Sequence, residues 1–579
     1  MSNVLCRAVL LCGLAIGLAA GPVRPAAATP EKPAAAGPAA PKLLVLLAVD
    51  QMRTDYVDWY GSAWKGGLHR LFSEGTFFRQ ARYPYLETVT CAGHATLGTG
   101  AYPHASGMMQ NVWYDRAQKK LVECTADPTA PLVGVGPVLA RPGMGDSAKN
   151  LALPTLGDEM QAQLQPPAKV VGLSMKARSA ITMAGHKPDL VLWFENGTWV
   201  TSTAFAPTIA PWVTAFITSH PIAPLVAAPW TRLLPATTYK NSDDGVGERP
   251  GGDWTPLFPH ALKGDRPESP GRFTMSPVAD DYLAQLALAA VDALKLGQGA
   301  ATDFLGISFS MADLVGHHFG PRSHEVQDVL LRLDGTLERF LGALDQKVGK
   351  DRYVVALSAD HGVAEIPEQL QAQGKDAGRI LEADVARSLN TAIARELVAG
   401  AKKDDPANNE STSPVVGQVG NEIYLAPGVY DRLRGTKGAV ARVLAALRKF
   451  PGIADAVEAD AVAGKEARQT TGPGSLRRAA ALSYFPERSG DLLILPKPNW
   501  IVGQSLATTH GSTHDYDRRV PVVFYGRGVK ALRSDRPVSP ADVAPTLAAL
   551  LGVTMKQAEG SALPEIAPPG RTPRPPAVH

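Results

Sequence analysis

Three continuous apolar runs, each leading to acidic residues, stand out along this chain. The first covers residues 42–49 and ends at Asp50, the second covers 303–309, and the third covers 353–358. Unbroken apolar runs of this length are typical of parallel strands that are buried on both faces of a sheet. We therefore predict three central strands.

Amphipathic segments lie between these runs and predict helices. Apolar residues recur in them at the spacing of a helix with one buried face, and the segments cover residues 56–75, 278–296 and 325–344. Strands that alternate with helices predict an α/β fold with a mostly parallel central sheet sandwiched by helices.

Two stretches interrupt this alternation and predict insertions. Residues 112–275 are irregular and rich in Pro and Gly, apart from a strand at 170–175 and a hairpin at 190–200 with a two-residue Asn196-Gly197 turn. Residues 376–500 predict a small α+β region. Its elements are helices at 383–398 and 438–450 and strands at 422–425 and 491–495.

We expect the following organisation. The core is formed by residues 42–375 and 501–555, and it carries a crown-like irregular insertion at roughly 112–275. The small α+β region follows at 376–500, and a Pro-rich tail ends the chain at 556–579.

The N-terminus predicts an export signal. A positively charged start precedes an apolar stretch of 13 residues, 8–20, which is too short to span a bilayer. Cleavage after Ala20 or Ala28 would leave a solvated Ala/Pro linker, so we predict a signal peptide at 1–28 and a linker at 29–41. A permanent membrane anchor is the alternative. We expect a periplasmic or secreted protein with no membrane span after cleavage.

Composition and cysteine content add two constraints. The formal net charge of +3 at pH 7 is too small to argue for nucleic-acid binding or for a membrane surface. Cys91 and Cys124 are the cysteines that would remain after signal cleavage. In an oxidising compartment they can form a disulfide, and two separate buried thiols are the alternative.

Carboxylates and imidazoles follow the predicted strands. Asp313-x-x-x-His317 comes after the second strand, Asp360-His361 after the third, and Asp50 after the first. The carboxyl ends of strands in an open α/β sheet form the edge where ligands bind. Oxygen and nitrogen ligands without thiolate suit catalytic zinc, and two metals can clamp both oxygens of an in-line displacement.

Two other positions suggest what such metals would act on. Thr90 lies where a strand-like piece meets a small-residue segment that can open a helix, a place that favours an anion; a helix cap is the alternative. Lys176 and Arg178 are two apart after the strand at 170–175, so we predict that they project from one face and suit phosphate oxygens. A solvated edge strand is the alternative.

These motifs together resemble the metal and nucleophile set of the alkaline phosphatase superfamily. More narrowly, the chain is similar to exported alkaline phosphatases with a threonine nucleophile, the PafA/PhoK type. The motifs that carry the resemblance are Asp50, Thr90, Asp313-x-x-x-His317, Asp360-His361-Gly362 and His510-Gly511-Ser512. The resemblance covers most of residues 42–553 and implies an alkaline phosphatase-like fold.

The resemblance also implies roles for individual residues. It implies two Zn²⁺ per chain, one held by Asp313, His317 and His510, the other by Asp50, Asp360 and His361 with the Thr90 oxygen as a further ligand. Thr90 would be the nucleophile and form a phospho-threonine intermediate. Asn111, Lys176 and Arg178 would bind substrate phosphate.

The resemblance further implies a substrate class. A monoester needs more cationic contact than a diester because it carries about two negative charges, and the related nucleotide pyrophosphatases/phosphodiesterases are not expected to have the Lys/Arg pair. We therefore expect a monomeric phosphomonoesterase acting on small phosphate esters, with a phosphodiesterase as the alternative. A sulfatase is disfavoured because Cys91 is followed by Ala92-Gly93-His94-Ala95 rather than by x-Pro-x-Arg.

The remaining histidines leave one choice open. His510 and His514 are four residues apart and either can reach a metal, and we favour His510 for its His-Gly-Ser context. His94, His318 and His324 are predicted to support the site or to be structural.

Overall fold

The computed structural model describes residues 40–136, 144–263, 272–400, 413–469 and 476–567. Its strands are β1 (Leu43–Val49), β2 (Thr76–Phe78), β3 (Val112–Asp115), β4 (Lys120–Glu123), β5 (Ala126–Gly134), β6 (Gly145–Asp146), β7 (Val170–Ser174), β8 (Leu190–Glu195), β9 (Thr198–Ser202), β10 (Asp303–Phe309), β11 (Tyr353–Ser358), β12 (Gly378–Ile380), β13 (Val415–Val419), β14 (Glu422–Leu425), β15 (Ile453–Glu458), β16 (Leu492–Pro496), β17 (Trp500–Val502), β18 (Val522–Gly526) and β19 (Leu532–Ser534).

The α-helices of the described chain lie between these strands. They are α1 (Asp55–Tyr60), α2 (Gly67–Glu74), α3 (Thr90–Thr99), α4 (Pro103–Ser106), α5 (Leu156–Gln163), α6 (Ala177–Ala184), α7 (Pro211–Ser219), α8 (Ile222–Leu225), α9 (Val278–Leu294), α10 (Met311–Phe319), α11 (His324–Leu344), α12 (Pro367–Ala372), α13 (Glu382–Gly400), α14 (Val429–Gly435), α15 (Ala439–Arg448), α16 (Lys465–Gln469), α17 (Leu476–Ser483), α18 (Asp515–Arg518) and α19 (Val543–Ala549).

An 11-stranded sheet runs through the core in the order β19-β2-β18-β11-β1-β10-β7-β8-β9-β5-β6. Its five neighbouring strands from β11 to β8 are parallel, and antiparallel pairings begin on either side of them, at β18 and β9. The predicted mostly parallel central sheet is therefore confirmed.

The register of the three central strands brings their ends together. Ala48 pairs with Ser358, and Val49 pairs with Phe309 on the other side. Continuing the strands by one or two residues places Asp50 beside Asp360, and Asp313 follows within the first turn of α10. The sheet edge therefore collects the carboxylates that the sequence places after separate strands.

Both faces of the sheet are buried, as the unbroken apolar runs predict. Alternate β1 side chains point into two cores: Leu43, Val45 and Leu47 into one, Leu44 and Leu46 into the other. Helices α2, α9 and α11 contribute to the first core, and α3, α5, α6 and α19 contribute to the second. Helices thus cover the sheet on both sides.

A second sheet has its own core. Its order is β13-β14-β16-β15, and it is antiparallel throughout. Apolar residues of α13, α14 and α15 pack against it. The helices and strands predicted between 383 and 495 are present here, although the predicted domain boundaries stay predictions.

One predicted helix is wrong: the segment at 56–75 divides into α1 and α2. The buried Asp334 carboxylate accepts hydrogen bonds from the backbone amides of Lys65, Gly66 and His69 at 2.7, 2.7 and 3.1 Å. These bonds satisfy the backbone donors at the start of α2. Their acceptor, Asp334, lies 268 residues beyond Gly66 in the sequence. The local pattern contains no trace of this partner.

Other local predictions are confirmed. The hairpin of β8 and β9 turns at Asn196 and Gly197, both with positive φ, +50° and +85°, as a two-residue turn of this sequence requires. Helix α11 matches its prediction within one residue. Cys91 and Cys124 form a disulfide.

Some predictions fall outside the described residues. The predicted signal peptide, most of the linker, and residues 568–579 of the tail lie there. Within the described ranges, none of the helices combines the length and apolar character that crossing a bilayer needs.

We predict that Gly67→Ala destabilises the fold. A Cβ at Gly67 would lie 2.3 Å from the Leu337 carbonyl carbon in α11, so the two helices would have to separate. Overpacking of this kind costs about 1–3 kcal/mol, measured as the free energy of unfolding in urea.

Gly342→Ala is the matched control. Gly342 also lies in a helix, but no heavy atom approaches its Cβ position within 4 Å, so this variant should be neutral or stabilised by up to about 1 kcal/mol. Equal effects at both positions would contradict the packing argument.

Candidate metal and phosphate site

Three buried aspartates and three histidines meet at the carboxyl edge of the central strands. Asp50 and Asp360 follow β1 and β11 directly, and Asp313 lies in the first turn of α10. Two groups of ligand atoms each fall within 4.8 Å: one in Asp313, His317 and His510, the other in Asp50, Asp313 and His361. The Asp360 Oδ2 atom lies 3.3 Å from His361 Nε2, so Asp360 adjoins the second group.

The three imidazoles are oriented by backbone carbonyls. Nδ1 of His317, His361 and His510 lies 2.9, 2.9 and 2.8 Å from the carbonyl oxygens of Thr508, Gly362 and Thr88. A carbonyl only accepts hydrogen bonds, so Nδ1 carries the proton in each ring. When a ring with this tautomer is neutral, its Nε2 lone pair is free to bind a metal, and this arrangement is typical of metal-binding histidines.

Unpartnered buried atoms test whether these residues suit a metal. Asp50 Oδ1, Asp360 Oδ2 and His361 Nε2 are buried and have no hydrogen-bond partner. Asp50 Oδ1 lies 3.4 Å from His361 Nε2. Buried polar atoms without partners are costly unless a ligand satisfies them. Three such lone pairs converging on one point fit a divalent cation.

The pKa shifts in this cluster follow from burial and from the charges that are buried together. Although burial opposes it, the Asp313 carboxylate raises the pKa of His317. Burial, followed by the charges of Asp313 and Asp360, raises the pKa of Asp50 well above its usual value. Burial also lowers the pKa of His361 and His510, so both rings are neutral at physiological pH. Neutral imidazoles beside carboxylates are the protonation states that metal binding needs.

Lys176 supplies the positive charge inside the cluster. Its Nζ donates to Asp50 Oδ2 at 2.5 Å and to Asp313 Oδ2 at 2.6 Å, and the side chain is buried. Although burial opposes the shift, the ammonium of Lys176 holds the pKa of Asp313 well below its usual range. Lys176 therefore lies within reach of anything bound between the two carboxylates.

The predicted shared strand face of Lys176 and Arg178 is wrong. β7 ends at Ser174, Lys176 precedes the first residue of α6, and Arg178 lies in the first turn of that helix. Arg178 is half-buried, its guanidinium has no hydrogen bond among the described residues, and its Nε is buried. The two cations thus come from the start of a helix, and the charge of Arg178 opposes the ammonium form of Lys176.

Thr90 is the first residue of α3, as predicted, and is buried. His94, one turn along, ties this helix to the metal cluster: its Nδ1 lies 2.9 Å from the Thr90 carbonyl oxygen and 3.2 Å from Asp360 Oδ2. At Gly93, a Cβ would lie 2.2 Å from the Asp360 carbonyl oxygen. The small residues after Thr90 therefore allow α3 to approach Asp360 closely.

Asn111 is held against the start of α3. Its Oδ1 accepts from the Cys91 amide at 2.8 Å, and its carbonyl accepts from the Cys124 amide at 2.9 Å. The Cys91–Cys124 disulfide joins the two segments that contact Asn111. The bridge therefore fixes Asn111 relative to Thr90.

Gln51 is a site residue that the sequence patterns do not reveal. Its backbone N–H donates to Asp360 Oδ1 at 3.1 Å, and its side-chain Nε2 donates to Asp313 Oδ1 at 2.7 Å. Gln51 has a positive φ of +68°, which is uncommon for a residue with a side chain. Gly316 leaves room for it, because a Cβ there would lie 2.1 Å from Gln51 Oε1.

The other histidines lie outside the cluster. His514 Nε2 is 3.0 Å from the Pro496 carbonyl oxygen and the ring packs on Tyr516. His318 Nδ1 is 2.8 Å from the Arg249 carbonyl oxygen, and His324 pairs with Asp243. Of the two late histidines, the structure therefore brings only His510 to the other ligand residues.

A cavity of about 300 Å³ opens beside the cluster. Asn111, His317 and His510 line it, whereas Asp50 and His361 are fully buried. A larger surface cavity of about 940 Å³ contains none of the candidate site residues. The smaller cavity is therefore the route by which a substrate would reach the cluster.

Comparison with known proteins gives consistent results. A family sequence model described as type I phosphodiesterase / nucleotide pyrophosphatase matches residues 44–517. Alkaline phosphatase PafA of Elizabethkingia meningoseptica is 33% identical over 523 residues, which are 89% of this chain and 92% of that protein. Alkaline phosphatase PhoK of Sphingomonas sp. is 33% identical over 554 residues, with 91% of each chain covered.

A solved structure extends the similarity to the fold. The crystal structure of wild-type alkaline phosphatase PafA matches with a TM-score of 0.81 and 31% identity, covering 92% of this chain and 100% of that chain. The predicted alkaline phosphatase-like fold is thus confirmed.

We predict that the His510→Ala and His514→Ala variants differ in their affinity for Zn²⁺. His510 offers its Nε2 to the cluster and His514 does not, so the first variant should bind Zn²⁺ at least about 100-fold more weakly after chelator treatment. It should also lose most of the rise in Tm that Zn²⁺ gives to the chelator-treated protein.

The His514→Ala protein is the control, and its Zn²⁺ affinity should stay within about threefold of the parent. Weaker binding by the His514 variant, with normal binding by the His510 variant, would reverse the assignment. Isothermal titration and thermal unfolding measure both quantities.

Proposed function

This chain belongs to the type I phosphodiesterase / nucleotide pyrophosphatase family, and on that premise we propose that it is an exported zinc-dependent phosphomonoesterase acting through a phospho-threonine intermediate. The observation that carries the proposal is the convergence of three buried lone pairs without hydrogen-bond partners, on Asp50, Asp360 and His361, beside the Lys176 ammonium. The alkaline phosphatases that cover about nine tenths of the chain support the phosphatase activity.

Two groups of residues would hold the metals. Asp313, His317 and His510 would hold one. Asp50, Asp360 and His361 would hold the other, with the Thr90 oxygen as a further ligand; His361 Nε2 lies within 3.4 Å of an oxygen of each of these two aspartates. Oxygen and imidazole donors without thiolate favour zinc in an open catalytic site. Bound there, the two metals supply Lewis acidity, which lowers the pKa of the threonine hydroxyl and stabilises negative charge on the leaving oxygen.

Thr90 is the group that attacks phosphorus. Thr90 is the first residue of α3, and the partial positive charge of a helix N-terminus would favour negative charge on its oxygen. The Thr90 hydroxyl loses its proton to solvent, and the bond from Thr90 Oγ to phosphorus forms as the bond from phosphorus to the ester oxygen breaks; the departing alkoxide takes a proton from solvent. Water then forms a bond to phosphorus as the bond from phosphorus to Thr90 Oγ breaks, Thr90 Oγ regains a proton, and phosphate is released.

Lys176, Arg178 and Asn111 act on the phosphoryl oxygens. The Lys176 ammonium lies between two carboxylates at the cluster, and the Arg178 guanidinium has unused donors. Three nonbridging oxygens of a monoester carry about two charges, so two cations match them better than they match a diester. This supports monoester hydrolysis, with diester hydrolysis as the second candidate because of the family description.

We predict that Thr90→Ala abolishes most turnover and spares metal binding. Losing the nucleophile should lower kcat on an aryl phosphate roughly 10³-fold or more, whereas zinc content should change little because six other ligands remain. Steady-state assays and metal analysis measure the two quantities. Acid-quenched parent protein should yield a phosphorylated Thr90 peptide, and normal turnover by Thr90→Ala would rule out the intermediate.

We predict that Arg178→Ala reduces monoester turnover selectively. Loss of a charge-assisted hydrogen bond should lower kcat/KM for an aryl monoester by about 10- to 100-fold, with at most about a threefold loss on the matching aryl methyl diester. Arg178→Lys should recover part of the monoester rate because it keeps the charge. Equal losses on both esters would contradict the phosphate-binding role of Arg178.

A further inference from the structure

The cavity beside the cluster has a distinctive charge. Among the described residues that line it, acidic side chains occur at Glu87, Glu382 and Asp517, and there is neither a lysine nor an arginine. Most of the other lining side chains are apolar or carry amide and hydroxyl groups. A molecule that enters this cavity therefore meets negative or neutral groups on the way to the metals.

The cavity lies on the leaving-group side of the site. Of the six predicted protein ligands other than Thr90, the two that line the cavity are His317 and His510, which belong to the same group as Asp313. The members of the other group, Asp50, Asp360 and His361, are fully buried. The alcohol part of a bound ester thus extends from the His317 and His510 group into the cavity.

Glu382 is the exposed acidic side chain of the cavity, whereas Glu87 and Asp517 are buried. It is exposed at the start of α13, and partial burial only raises its pKa, while the Gly420 amide donates to its carboxylate. The buried Glu87 has its pKa raised well above the usual range by burial and by Glu422, which favours its neutral form. Burial also raises the pKa of Asp517, to about 7, so the exposed Glu382 carboxylate is the main source of negative charge in the cavity.

The neighbouring cations are engaged elsewhere. Arg379 Nε and Nη2 donate to Glu368 at 2.8 and 2.9 Å, and the same guanidinium donates to the carbonyls of Leu506 and Ala507. Lys176 and Arg178 do not line the cavity. None of these lysine and arginine side chains therefore lines the part of the cavity that would hold the alcohol beyond its ester oxygen.

One wall of the cavity is apolar and held in place by its neighbours. Trp500, Val502 and Leu506 line the cavity. The Trp500 indole donates from Nε1 to Asp376 at 3.0 Å, and its ring lies so close to Gly452 that a Cβ there would approach it to 2.2 Å. A volume of about 300 Å³ is at the small end for ligand pockets, so the alcohol it accepts is compact.

We propose that this cavity is a leaving-group subsite which favours compact neutral or cationic alcohols and disfavours alcohols that carry further anionic groups. The proposal rests on the phosphomonoesterase function and adds the class of ester to it. Nucleoside polyphosphates, sugar bisphosphates and phosphorylated carboxylic acids are poor substrates on this basis. Aryl, alkyl and ammonio-alkyl phosphates are good ones.

Three monoesters of similar shape test the preference. They are 2-(trimethylammonio)ethyl phosphate, its neutral isostere 3,3-dimethylbutyl phosphate, and 2-carboxyethyl phosphate. For the zinc-loaded protein at mildly alkaline pH and low salt, kcat/KM should be at least about tenfold lower for the carboxylate ester than for the other two. Raising the ionic strength to 0.5 M should reduce this difference, because interactions between exposed charges more than a Debye length apart, roughly 3–8 Å at this salt concentration, are largely screened.

Variants of Glu382 locate the cause. Comparing each variant with the parent removes the intrinsic reactivity of each ester. In Glu382→Gln the cation-to-anion ratio of kcat/KM should fall about three- to fivefold, the size expected for one partly exposed charge pair, and in Glu382→Lys it should fall further. Asp384→Asn is the control: it removes the same charge from the same helix, but Asp384 pairs with Arg387 and does not line the cavity.

The outcomes separate this proposal from the one it rests on. Hydrolysis of all three esters at similar rates, or an equal change of the ratio in Asp384→Asn and Glu382→Gln, would overturn the leaving-group preference and leave the phosphomonoesterase function standing. Failure of the zinc-loaded protein to hydrolyse any of the three would overturn both. The thermal unfolding midpoint and zinc content of each variant confirm that it folds, and competitive inhibition by the free alcohols gives a second measure of the same order of preference.

Discussion

The site depends on burying several like charges in one place. Asp50, Asp313 and Asp360 come together because three parallel strands end at one edge, and all three are removed from water. Charges of one sign cannot be buried together without compensation, and one ammonium, that of Lys176, supplies only part of it. A raised pKa of Asp50 relieves part of the remaining charge, and divalent cations would relieve the rest, so the edge of the sheet suits metal binding.

The backbone then sets the ligand geometry. Nδ1 of each of the three imidazoles donates a hydrogen bond to a backbone carbonyl. For His317, His361 and His510 these carbonyls belong to Thr508, Gly362 and Thr88 in turn. Gln51 and His94 hold the aspartates from the other side. The ligand atoms are thus positioned by neighbours that bind no metal themselves, which is how metal sites keep their geometry before the ion arrives.

The sequence predicts a feature of the fold or site when the residues that determine it lie close together along the chain. The strands, the ends that bear Asp50 and Asp360, and the Asn196-Gly197 turn follow from local pattern. The break between α1 and α2 does not, because its partner is Asp334, far along the chain. The placement of Lys176 and Arg178 failed for a related reason: the apolar run continues to Met175, although the strand ends at Ser174.

Residues that line the cavity are the hardest to predict, and on our proposal they determine which esters are accepted. Glu382, Trp500 and Asn421 come from segments that hold no strand of the main sheet, and nothing in their local sequence marks them as neighbours of His510. The candidate metal ligands would be constrained by the chemistry of phosphoryl transfer, whereas the wall proposed to contact the leaving group takes no part in that chemistry. The cavity-lining residues and the candidate metal ligands come from different parts of the chain. Substitutions in the cavity-lining segments could therefore change which esters are accepted and leave the carboxylates and imidazoles at the sheet edge unchanged.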